Sequence, residues 1–112
     1  MEPRLSTSVL VTALIRLSES QGGFASVLAR GDATAGALLV ILAERGRKRQ
    51  ILERILQPDG RYAWHPAREA AGNEEELQRF LDRRRKFDPD LWVLELDIAS
   101  SERFADGMND FR

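Results

Sequence analysis

Cysteine is absent from this 112-residue chain. Neither a disulfide scaffold nor thiolate zinc or redox chemistry is therefore open to it, and its stability must come from core packing alone. Histidine is nearly absent: His65 stands alone beside Pro66, which leaves little choice of general base or of metal ligand. No run approaches the roughly 18 apolar positions of a membrane span. The longest apolar stretch near the N-terminus, Val9 to Ile15, is interrupted by Thr12 and closed by Arg16, with no small-residue cleavage site of the secretory kind after it. A cytoplasmic protein is the expectation. Nor is there an excess of charge of either sign, since seventeen Lys plus Arg face eighteen Asp plus Glu, for a formal net charge of -1. Such a balance argues against a surface built wholly for nucleic acid or anionic membrane, although a local basic patch fits within a neutral total.

The usual catalytic strings are missing as well. Gly22-Gly23 and Gly31 lack the GxGxxG or GxxxxGK spacing that cradles phosphates. None of Ser6, Ser8, Ser18, Ser20 and Ser26 stands in a GxSxG elbow, and neither a DxDxDG loop nor an HExxH helix occurs.

What is present is the composition of one globular domain, 43% hydrophobic and 31% charged. Leu10, Ala13, Leu14 and Leu17 recur at helical spacing, with Ser6, Thr7 and Ser8 as N-cap candidates and Gly22-Gly23 as a stop, so a helix is expected over residues 8–20. The β-branched residues of the same stretch would alternatively put Val9, Val11, Ala13, Ile15 and Leu17 on one face of a strand. Residues 24–29 read as a short strand, 31–36 as a turn-rich loop and 37–44 as a strand buried on both faces, together a hairpin.

Residues 47–67 read as strand, turn and strand around Pro58-Asp59-Gly60. Ile51, Leu52, Ile55 and Leu56 would equally make a helical stripe, but a meander accounts for the turn signals on both sides. Asn73 with Glu76 three positions on opens a helix over 74–87, with acids in its first turn and bases in its last. Asp88 precedes a proline and stops it, and Leu91 to Ile98 then alternates as a last strand. The expected fold is α+β: an N-terminal helix, an antiparallel meander of three or four strands, a second helix, and a final strand returning to the sheet. Residues 1–104 make the domain and 105–112 a loose tail.

Two groups of charged residues are site candidates. Glu95 and Asp97 share one face of the last strand, about 7 Å apart, close enough to share a cation. The structural alternative pairs them with Arg45, Arg49 or Arg54 across strands and uses Asp88 and Asp90 as turn caps; with no histidine nearby it is the stronger reading. The basic runs 45–49 (Arg45, Arg47, Lys48, Arg49) and 83–86 (Arg83, Arg84, Arg85) could track a phosphate backbone, with Tyr62 and Trp64 offering stacking surfaces. Their structural alternatives are a solvated hairpin tip and a cation-rich helix C-terminus. Trp64, beside a turn, could also anchor a partner.

Gly31-Asp32 with Ala35-Gly36-Ala37, and Phe87-Asp88-Pro89-Asp90-Leu91-Trp92-Val93 followed by Glu95 and Asp97, resemble the domain of unknown function 1491 family, over nearly the whole chain. The resemblance implies an α+β domain with relatives among alphaproteobacteria, favours the hairpin over 24–44, and implies no activity and no catalytic or binding residue. The functional expectation is a non-enzymatic accessory or protein-interaction domain, without cofactor, whose partner is a protein or a second copy of itself. The rivals are a nucleic-acid binder using the arginine runs and an acid-dependent enzyme or divalent-metal binder using Glu95 and Asp97.

Overall fold

The computed structural model describes residues 5–69 and 73–108. Helix α1 (Thr7–Ser20) begins where Ser6 Oγ accepts the Val9 amide and ends ahead of Gly22, which takes the left-handed φ of 79°. The helical stripe prevails over strand alternation because it collects the larger side chains on one side. Leu10 and Leu14 are completely buried, whereas Val9 is 51% exposed.

The sheet strands are β1 (Phe24–Ala29), β2 (Leu38–Glu44), β3 (Arg47–Leu56), β4 (Tyr62–Glu69) and β5 (Trp92–Asp97). Arg45 and Gly46, with φ of 50° and 81°, form the tight β2–β3 turn, and two positive φ values are what a two-residue hairpin of matching twist requires. Between β3 and β4, the Gln57 amide donates to Arg61 O, the Gly60 amide donates to Gln57 O, and the Arg61 amide donates to Asp59 Oδ1. Residues 47–56 are therefore strand, as the turn chemistry indicated.

The expected hairpin over 24–44 does not form. The strand order is β1-β5-β2-β3-β4, so β5 is inserted between β1 and β2, antiparallel to the first and parallel to the second. Only β2, β3 and β4 make a meander, and the sheet is mixed. Burial supplies the reason. Leu38 to Ala43 are all buried, so β2 needs a strand on each side and cover on both faces; of β1 only Ala29 is buried, which suits an edge. The apolar face of β5 is worth more between two strands than at a rim.

Helix α2 (Glu74–Phe87) starts at Asn73, whose Oδ1 accepts the Glu76 amide at 2.8 Å, and stops at Asp88. It covers the sheet face formed by Leu39, Ile41, Ile51, Leu91 and Val93, using Leu81 with Leu77 and Phe80 at the margin. Phe87, in sequence register with that stripe, is 84% exposed. The opposite face, with Leu38, Val40, Leu42, Trp92, Leu94 and Leu96, is covered by α1 and by a third helix, α3 (Ser101–Gly107).

That helix corrects the expectation of a loose tail from residue 105. Ser100 Oγ accepts the Arg103 amide at its start, Phe104 and Met108 are buried one turn apart, and Trp64 Nε1 donates to Met108 O at 3.0 Å. Residues 109–112 lie outside the described residues. No helix among the described residues is long and apolar enough to cross a membrane.

Candidate functional site

The loop over 31–36 and the turn over 88–91 lock into each other. Asp32 accepts the Ala35 and Thr34 amides on its carboxylate at 2.8 and 3.2 Å, and its own amide donates to Asp90 O at 3.1 Å. Its carbonyl takes the indole N–H of Trp92 at 2.7 Å. Asp88 Oδ1 accepts the Asp90 amide, and the Trp92 amide donates to Ala37 O at 2.8 Å. Gly31 and Gly36 are required by this approach: a Cβ on either would overlap the Asp90 carbonyl oxygen.

The loop then closes over α1. Thr7 and Ser8 donate their amides to Thr34 O and Ala33 O at 3.2 and 2.9 Å, and the Thr7 hydroxyl donates to Gly36 O at 2.7 Å. Helix N-termini bind anions through spare amides, and here these donors are already used.

Glu95 and Asp97 turn to different partners. Asp97 accepts the backbone amides of Arg45 (3.0 Å) and Gly46 (2.8 Å), so its carboxylate braces the β2–β3 turn through main-chain donors. Glu95 lies 3.4 Å from Lys48 Nζ, and Lys48 also reaches Glu74 at 3.3 Å. Burial by itself lowers the Lys48 pKa, but the charges and hydrogen bonds of Glu95 and Glu74 outweigh it and hold the ammonium above its ordinary 10.5. No group of three or more His, Cys, Asp or Glu placed to hold a metal ion occurs among the described residues. Asp97→Ala is expected to lower the unfolding free energy by about 1–2 kcal/mol through the two lost amide partners. Urea denaturation checks this, and a loss that appears only when Mg, Ca or Zn ions are present would reinstate the cation reading.

The basic residues are likewise dispersed. Arg84 is ion-paired with Glu53, while Arg83 and Arg85 are exposed on α2. Arg45 and Arg47 are exposed at the hairpin, and the Arg49 side chain lies outside the described part of the structure. Since Lys48 meets Glu74 at the start of α2, Arg84 is some ten residues, or about 15 Å, further along the helix. Glu74, Glu75 and Glu76 stand in the first turn of that helix, so among the described residues acids lie between the two runs. Trp64 is tied to Met108, and the Tyr62 ring is covered by Arg54 with its Cζ 3.9 Å from the centroid.

A family model for proteins of unknown function, DUF1491, matches residues 5–106. The chain belongs to the DUF1491 family. A crystal structure of a DUF1491 family protein from Caulobacter crescentus CB15 is 36% identical, with a TM-score of 0.76, over 89% of this chain and 94% of that one. An NMR structure of a DUF1491 family protein from the same organism gives 34% identity and a TM-score of 0.77 over 92% and 94%. A solution structure of a protein from A. tumefaciens gives 32% and 0.76 over 91% and 92%. Among curated proteins, none matches the chain.

For this DUF1491 protein, the residues that carried the resemblance hold a crossover together. The surface that sequence reasoning missed is the β1 edge. Phe24, Val27 and Leu28 are 76, 43 and 48% exposed, and β1 contains neither a charge nor a proline. The far edge, β4, carries His65, Pro66, Arg68 and Glu69 in its sequence, the kind of residues that discourage strand pairing. Beside β1 a cleft of about 220 Å³ opens towards α2, with the buried Ala29, Leu81 and Val93 at its base and Leu28, Gln78, Asp82 and Arg85 around it. The signal in the sequence was FASVLA itself, an uncharged, proline-free run with a serine in its middle.

Proposed function

We propose that this DUF1491 protein is a non-enzymatic protein-interaction domain that takes its partner along β1 by strand addition. One observation carries the reading: an edge strand with three exposed apolar side chains and no charged or proline gatekeeper, opposite an edge that has them. Unpaired N–H and C=O groups on such an edge offer main-chain hydrogen bonds, and the apolar side chains between them supply specificity.

The test compares the wild-type protein with the double variant Phe24→Lys, Leu28→Lys as bait in cell lysate, each split into nuclease-treated and untreated halves. Both positions are exposed, so the variant is expected to unfold within about 0.5 kcal/mol of wild type. A stoichiometric protein that survives nuclease and is captured by wild type alone is the expected result. Capture that disappears with nuclease and depends on Arg45, Arg47, Arg83 and Arg85 would replace this reading with nucleic-acid binding.

A further inference from the structure

We infer that the occupant of the β1 edge is a second copy of this chain, paired antiparallel about a two-fold axis beside Ser26. The inference rests on the interaction reading above and commits it to one partner. An axis perpendicular to the sheet keeps the face covered by α2 continuous from one copy to the next. With Ser26 opposite Ser26 of the partner subunit, Phe24 of each copy falls opposite Leu28 of the other.

Side-chain parity makes that register self-complementary. Phe24 pairs with Asp97 and Ser26 with Glu95, so both stand on the α2 face of the sheet. The pairing slips between Val27 and Ala29, a bulge that leaves Leu28 without a partner on β5 and sets it at the lip of the α2 cleft. A phenyl ring arriving from across the axis meets Leu28 at the lip and the buried Ala29, Leu81 and Val93 beneath it. In this pairing the most exposed residue of the strand faces the cleft of the other copy. Each strand is uncharged, so self-pairing brings no like charges together. The cleft rim carries one acid and one base, Asp82 and Arg85, so meeting its own copy costs no net repulsion there.

The chain offers a clean test because it contains no cysteine. Ser26→Cys introduces a single thiol on β1. Residues directly opposite in an antiparallel pair have Cα atoms about 4.5–5.5 Å apart, inside the range a disulfide spans. Mild oxidation is expected to convert Ser26→Cys to a covalent dimer much faster than Thr12→Cys, on the exposed side of α1. Sedimentation equilibrium up to millimolar protein is expected to show wild-type dimers. Phe24→Lys with Leu28→Lys should be monomeric, and Phe24→Ala should weaken association about tenfold or more.

A wild-type protein that stays monomeric throughout overturns the inference, as does a dimer indifferent to the lysine variant or one in which both thiols cross-link equally. If a monomeric protein still captures another protein through Phe24 and Leu28, the interaction reading survives and only its partner was misassigned. If it captures nothing through them, both fall.

Discussion

Gly31→Ala is expected to destabilise the fold by about 3 kcal/mol or more, at the upper end of what overpacking produces. The added Cβ meets the carbonyl oxygen of Asp90, with the Leu91 carbonyl carbon 2.8 Å away. All of these atoms are backbone, and none can swing aside as a side-chain terminus would. Relief requires separating the 31–36 loop from the 88–91 turn, which breaks the Asp32 amide to Asp90 O bond and strains that from Trp92 Nε1 to Asp32 O. Both segments enter the buried strands β2 and β5 directly, so the displacement reaches the sheet centre. Gly107→Ala is the control. Nothing lies within 4 Å of its would-be Cβ, and it sits in α3; replacing a helical glycine is expected to be neutral or to add up to about 1 kcal/mol. Urea unfolding followed by circular dichroism measures both, and equal effects would mean that the approach at Asp90 imposes no constraint.

The same crossover marks the limit of what the sequence could reveal. The helices and strands were legible because their signals are local: Asn73 and Ser6 as caps, Gly60 as a turn residue, the stripe of Leu10 and Leu14. Strand neighbours were not. Pairing β5 with β2 joins residues some fifty positions apart, and no local rule chooses that over a β1–β2 hairpin. The better clue was the uninterrupted burial implied by LLVILA, which calls for a neighbour on each side. The partners of the acids were hidden for a similar reason. Asp97 serves the amides of Arg45 and Gly46, 52 and 51 positions away, and backbone donors leave no trace in residue types.

The C-terminal segment shows how a short helix hides. Phe104 and Met108, four apart after a serine cap, are the whole of its signal, and α3 is only seven residues long. Such a helix is marginal by itself, so its order must come from docking. Phe104→Ala is accordingly expected to lower the unfolding free energy by about 3–5 kcal/mol, as deletion of a buried aromatic ring does. The side chain is 2% exposed and packs in the same cluster as Leu10, Leu42 and Leu96, so its removal leaves a cavity between α3 and the sheet. The loss should propagate to Trp64, whose indole N–H is held by Met108 O at the end of the same helix. With only two tryptophans in the chain, the Trp64 indole proton can be followed by NMR, and it should exchange faster with water in Phe104→Ala while that of Trp92, bound to Asp32 O, changes less. Glu102→Ala, on the exposed side of α3, should stay within about 0.5 kcal/mol of wild type. A Phe104→Ala protein as stable as Glu102→Ala, with Trp64 unchanged, would return residues 101–108 to the status of a tail and remove one of the two helices covering that face of the sheet.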